Sequence, residues 1–373
     1  MQMSRVATRV VITLIVFSFS TITNAFASSI MVENYDDSEI LHYPIALVQG
    51  RVSEIEQGVV VIENLSSNAE TRIARAPILR GRFKTLIELR PGRNDLILAA
   101  GANVRPFTLI YRASSNPHFV RVVWFRGADE TENDDHSHGG DVELKLRVAA
   151  RLWQTATGER LYAGGYGRRS FRLETNDNGE ALVWKLRGRK RADEYISLSP
   201  TERFNAIYRE TRESELGDRN ACYFILVSLG AGGNASFDSD ETRIALGTNE
   251  VAMLDASRVV SWPERLDQVE EFLLDASRVS EEYARDSAFR LTKWSLVSST
   301  LGAGLHELGH AFGLDHSTEP SDFMSRGFDR FNRIFTVYEP SSALGETRFF
   351  DDDEVASWGR TSALRLIRSK WIE

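Results

Sequence analysis

GLHELGHAFGLDHSTEPSDFMSRG (304–327) places three of the chain's seven histidines within eleven residues, spaced four and then six apart. From Trp294 to Phe312 the sequence around them, WSLVSSTLGAGLHELGHAF, reads as one helix. On a helix His306 and His310 lie one turn apart on the same face, where two imidazole nitrogens can reach one ion. Leu305, Leu308, Ala311 and Phe312 offer apolar surface for a core on the other faces. Gly313 falls where the helix should end in a left-handed residue, a conformation that glycine takes without penalty. The turn it permits returns His316 toward the same ion.

Three neutral protein ligands leave the fourth corner of a zinc tetrahedron to water, which marks a catalytic rather than a structural site. Zinc acidifies such a water. Glu307, beside His306, is placed to take its proton and pass it to a leaving amine. HExxH alone arises by chance in about one chain of this length in a hundred, whereas HExxHxxGxxH arises in about one in a hundred thousand. Surface histidines on an amphipathic helix would leave the helix-ending glycine and the third histidine unexplained. The pattern predicts a hydrolytic zinc site.

HELGHAFGLDH resembles the zinc signature of the metzincin metalloendopeptidases, and HELGHAFGLDHSTEPSDFM is close in wording to the matrixins. The resemblance implies His306, His310 and His316 as zinc ligands and Glu307 as general base. It also implies Met324, eight residues beyond His316, as the Met-turn residue beneath the site. Some metzincins place a tyrosine two residues after that methionine to help stabilise the oxyanion. Arg326 stands there in this chain, either for the same electrostatic work or as a surface or structural arginine. No PRCGxPD-like segment supplies an inhibitory cysteine. Residues 261–335 are similar to a family of zinc metallopeptidases known from fungi and bacteria, and the likeness is looser upstream.

Other polar clusters carry two readings each. Asp315 either orients a ligand from behind or simply forms the helix-exit turn. In NASFDSDE (234–241), Asp238, Asp240 and Glu241 are a candidate structural Ca2+ site, but the full spacing of a calcium loop is absent and an ordinary acidic loop competes. In DDHSH (134–138), Asp134, Asp135, His136 and His138 form a weak metal pattern, for which a solvated acidic tract is the favoured reading. His42 and His118 stand apart from any partner and read as structural.

The first 27 residues have the layout of a cleavable leader: MQMSRVATR with two arginines, the short apolar run VVITLIVFSFSTIT, and small residues at AFAS. A secreted, periplasmic or cell-envelope protein is expected. The formal charge is −8, or −10 once Arg5 and Arg9 leave with the leader, which argues against nucleic acid as partner. The one cysteine, Cys222, excludes a disulfide framework within the chain and reads as a buried thiol.

Residues 28–126 show short β-like runs about ten residues apart and predict an antiparallel, immunoglobulin-like sandwich. An acidic linker follows over 127–141, and residues 142–373 form the catalytic domain, with α+β layers of metzincin-like type expected. Its opening, VELKLRVAARLWQ (142–154), alternates like a strand. ACYFILVSLG reads as a strand covered on both faces, SPTERFNAIYRETRESELGD (199–218) as a helix opening at Ser199-Pro200, and SWPERLDQVEEFLLD (261–275) as a helix opening near Pro263. DDDEVASWGRTSALRLIRSKW (351–371) runs from acids to bases and predicts a C-terminal helix.

The expected function is that of a secreted zinc metalloendopeptidase acting on protein or peptide substrates. Two rivals stay open: a secreted adhesion or binding protein that keeps the zinc fold without turnover, and a zinc hydrolase of a non-peptide amide.

Overall fold

Eight short strands with alternating burial build the N-terminal part. They are β1 (Ile30–Val32), β2 (Glu39–Leu41), β3 (Ile45–Val52), β4 (Gln57–Asn64), β5 (Ile73–Leu79), β6 (Arg82–Glu88), β7 (Gly92–Ala100) and β8 (Asn103–Tyr111). The computed structural model describes residues 30–67, 70–130, 140–177, 179–229, 245–281, 284 and 287–373. The leader, the DDHSH cluster and the NASFDSDE stretch lie outside them.

These strands form one sheet in the order β1-β3-β6-β5-β4-β7-β8-β2, antiparallel throughout except for β2 beside β8. The sheet curls on itself, so that Arg105 Nη1 of β8 donates to the Ile30 carbonyl of β1 at 3.0 Å. Its inward faces, including Val60, Ile62, Phe83, Leu96, Leu98 and Phe107, make a core of their own. The expected sandwich of two facing sheets is therefore replaced by one continuous curled sheet. Alternating strands with tight turns suit either arrangement, and the β4–β7 ladder is what joins them here.

The last run assigned to the sandwich, FVRVVWFR, belongs elsewhere. As β9 (Phe119–Arg126) it lies inside a second sheet with β10 (Val183–Arg187), β11 (Ala221–Ser228), β12 (Ala245–Thr248) and β13 (Val251–Asp255), ordered β10-β9-β11-β13-β12. Every residue of β9 and of β11 is buried, the signature of internal strands covered on both faces. β10, β9, β11 and β13 run parallel, and only β12, at the edge, is antiparallel.

Helices cover both faces, so the second part is α/β rather than α+β. On one side α1 (Val142–Ala163) and α5 (Lys293–Ala311) bury Trp153, Leu301 and Leu305 against Trp124, Phe224 and Leu226. On the other, α2 (Ala192–Ile196) and α3 (Pro200–Glu213) bury Tyr195, Phe204 and Ile207 against Val123, Tyr223 and Ile225. The segment expected to open as a strand at 142 is α1, capped by Asp141, whose carboxylate accepts from the Leu144 N–H at 3.1 Å. α3 opens at Ser199 with a capping box to Glu202, as the sequence predicts. α4 (Val269–Leu274) starts six residues later than Pro263, after a 3₁₀ turn at Leu266–Gln268.

Beyond α5 come α6 (Asn332–Phe335), the hairpin β14 (Tyr338–Glu339) and β15 (Arg348–Phe349), and α7 (Arg360–Leu366). The expected C-terminal helix over 351–371 is only α7. Ser357, ahead of it, is in an extended bridge with Asp322. The two parts of the chain are joined by buried polar contacts. Glu159 of α1 accepts from the hydroxyls of Tyr35 and Tyr43 at 2.5 and 2.6 Å and pairs with Arg168. Lys84 of β6 donates to the Arg333 carbonyl of α6 at 2.8 Å.

Candidate metal centre

α5 is buried along most of its length, and its C-terminal half carries both HExxH histidines. His306 is buried, His310 half-buried and His316 exposed, so the three rings run from core to surface. One nitrogen from each lies within 4.8 Å of the others. The helix ends as the sequence predicts: Gly313 takes φ 91°, and the Leu314 N–H returns to the Gly309 carbonyl at 3.0 Å. This turn brings His316 over the helix, its ring centre 4.6 Å from that of His310.

Two backbone carbonyls fix the tautomers. His306 Nδ1 lies 2.7 Å from the Phe323 carbonyl and His310 Nδ1 lies 2.8 Å from that of Leu314. A carbonyl can only accept, so each Nδ1 carries the proton and each Nε2 presents its lone pair. Burial first, and then the neighbouring rings, push His306 down to about 4 and also lower His310, so both are neutral at pH 7. His310 Nε2 lies 3.2 Å from His316 Nε2. A tetrahedral ion about 2.0–2.1 Å from each nitrogen would set neighbouring ligand atoms roughly 3.3 Å apart, the separation His310 and His316 already have, with a nitrogen of His306 within 4.8 Å of both.

Glu307 is 7% exposed, and burial pushes its carboxyl up to about 8 while the positive charge of Arg258 pulls the other way. Among the described residues no donor hydrogen-bonds this carboxylate. Arg258 follows β13 in a 3₁₀ turn (Ala256–Val259). Only the three-dimensional fold brings it near Glu307, and no local motif signals it.

Met324 is fully buried, and its Sδ would lie 2.3 Å from a Cβ placed on Gly309, the residue before His310. The methionine thus underlies the histidine helix. The Arg326 guanidinium pairs with Asp329 at 2.6 Å and lies over the Phe328 ring, which is itself 5.2 Å from His306. Asp315 is exposed and pairs with Arg365 of α7, which lowers its carboxyl below the usual range. Its side chain has no described bond to a ligand ring.

The remaining histidines and the cysteine have other surroundings. His42 Nδ1 lies 3.0 Å from the Arg112 carbonyl, and His118 meets Trp371 edge-on at 5.3 Å. Cys222 is fully buried in β11, and burial pushes its thiol well up. Among the described residues the three histidines are the single group of three or more metal-ligating side chains gathered closely enough to hold an ion. Among them, too, no helix is long and apolar enough to cross a membrane.

Residues 29–373 match the family Metallopep, described as "Putative peptidase family". A protein of Schizosaccharomyces pombe named as a putative zinc metalloproteinase is 26% identical over 371 residues, covering 91% of this chain and 59% of that protein. One of the same designation from Saccharomyces cerevisiae is 23% identical over 382 residues, covering 90% and 53%. The chain thus spans a little over half the length of these curated relatives. Among solved structures, OgpA from Akkermansia muciniphila in complex with an O-glycopeptide aligns with TM-score 0.47 at 14% identity, over 69% of this chain and 62% of that one. Archaemetzincin from Methanopyrus kandleri aligns with TM-score 0.30 at 16% identity, over 69% and 98%.

Proposed function

Because the chain belongs to the Metallopep family of peptidases, we propose that it is an exported zinc-dependent endopeptidase whose centre is His306, His310, His316 and Glu307. The observation that carries this reading is the gathering of three imidazoles at one helix end, with His306 and His310 each held from behind by a backbone carbonyl and His310 Nε2 3.2 Å from His316 Nε2. That separation is the one expected of two nitrogens on a single tetrahedral zinc ion. The names of the yeast relatives point the same way. Export rests on the leader-like first 27 residues.

The three histidines would hold the ion. Zinc, when bound, supplies the Lewis acidity that activates a water and polarises a scissile carbonyl. Glu307, in a dry wall of the site, accepts a proton from that water and returns it to the departing amine. Arg326, paired with Asp329, lies over Phe328 beside His306.

An extended peptide has a place to lie. Among the described residues β12 is the last strand of its sheet, packed so closely on α5 that a Cβ on Gly247 would fall 2.4 Å from the Glu307 carbonyl. Its outer backbone groups can pair with a substrate main chain independently of substrate sequence.

The test compares wild type with Glu307→Ala for bound zinc and for cleavage of unfolded casein. The variant should keep its zinc and lose cleavage about 10²–10⁴-fold, the usual contribution of a general base. Full activity in the variant would overturn the mechanism. Zinc binding without cleavage of casein or of small amides would instead favour the binding-protein reading.

A further inference from the structure

The turn that follows His316 contains a buried acid that neither the metal ligation nor the proton transfer uses. Asp322 is fully buried. Its Oδ1 accepts from the Met324 N–H at 2.9 Å and its Oδ2 from the Ser362 hydroxyl of α7 at 2.6 Å. Its main-chain carbonyl accepts from the N–H groups of Ser325 and Gly327 at 2.9 and 3.0 Å. The next residue, Phe323, gives its carbonyl to His306 Nδ1, and its N–H donates to the Ser357 carbonyl at 2.8 Å. The residue after that, Met324, underlies Gly309.

We propose that Asp322 is a positioning residue for the metal: by clamping the turn between α7 and Met324, it holds the Phe323 carbonyl where it orients His306, and it places a negative charge behind that ligand. This inference rests on the zinc reading of the site. Both described donors to the carboxylate, a backbone amide and a serine hydroxyl, are neutral, and no described ion pair includes it. A buried carboxylate without a cationic neighbour is unfavourable, and a divalent ion on the far side of His306 offsets that cost. The chain Asp322, Phe323 carbonyl, His306 therefore works as an outer shell that spans the backbone instead of a single side-chain contact.

The experiment uses the full chain and two variants. Asp322→Asn keeps an acceptor toward the Met324 N–H and offers Ser362 an amide in place of the second oxygen, so shape is preserved while charge is lost. Ser362→Ala keeps the charge and removes one strut. Zinc dissociation constants are measured by competition with a chromophoric chelator, and melting temperatures on the metal-free proteins. Asp322→Asn should weaken zinc binding about tenfold or more, within the range seen when an outer-shell partner is lost, with little change in metal-free melting. Ser362→Ala should weaken it severalfold.

A lower metal-free melting temperature with unchanged zinc affinity would make Asp322 merely structural and overturn the inference. Should Asp322→Asn fail to fold, unchanged affinity in Ser362→Ala would do the same. Wild-type protein that takes up no zinc would fail the centre itself, an outcome distinct from either.

Discussion

At the scale of single residues, the site is made by what stands behind the histidines. The ligand spacing puts three imidazoles in reach of one ion, but the Phe323 and Leu314 carbonyls determine which nitrogen each helical ring presents. Gly309 is required because Met324 Sδ occupies the space where a side chain would begin. Gly309→Ala should therefore cost about 1–3 kcal/mol through overpacking, read as a lower denaturation midpoint with an unchanged slope. A variant as stable as wild type would show that the methionine is free to move away. HExxHxxGxxH and Met324 were legible in the sequence because all of these residues lie within a nineteen-residue stretch. Arg258 and the bond from Ser362 to Asp322, forty residues apart, were not. Contacts of that kind depend on tertiary packing and leave no local pattern.

At the scale of elements, local alternation misleads where the final environment of a segment differs from it. VELKLRVAARLWQ alternates at its start, yet the Asp141 cap and burial around the whole helix decide for α1. FVRVVWFR is polar enough to pass for a half-exposed strand, but Arg121 is buried with its charge met by Glu174 at 2.7 Å. ACYFILVSLG, with no polar interruption until its end, was read correctly as an internal strand. The C-terminal segment failed as a single helix because Ser357 gives both its backbone groups to the turn at 321–323.

α4 contributes a titration of its own. Glu270 lines a cavity of about 490 Å³ against β5 and β6, facing Arg75, Lys84, Arg265 and Asp267. Burial raises its carboxyl to about 8 from an ordinary 4.5. The folded state then holds a proton that the unfolded chain has already released, so its contribution is full below about pH 4.5 and is lost as pH rises through 8. Glu270→Gln should flatten the fall in melting temperature between those limits. An identical pH profile in wild type and variant would place the carboxylate in better contact with water than its burial implies.

At the scale of the whole molecule, the curled sheet is bound into the α/β domain rather than tethered to it. Glu159, 3% exposed, gathers two tyrosines from the connections flanking β2 and Arg168 from the second part of the chain. Glu159→Ala removes one of the two carboxylates that pair with the buried Arg168 and leaves two tyrosine hydroxyls without their acceptor, and should cost about 3 kcal/mol. Both parts should still melt together, as seen in coincident near- and far-ultraviolet circular dichroism transitions. Two separate transitions in the wild type would mean that the sheet folds as an independent module. The sheet thus serves at least to support the helix that packs on α5, where Trp153 Nε1 donates to the Leu301 carbonyl at 2.7 Å.

The central claim is that one metal ion is held by three named histidines. Its most direct test is a zinc titration of the metal-stripped protein alongside His316→Ala, with bound metal counted after equilibrium dialysis. The wild type should bind one zinc per chain, and the variant should bind it markedly more weakly. A wild type that takes up no zinc, or a variant that binds it with unchanged stoichiometry and affinity, would contradict the account.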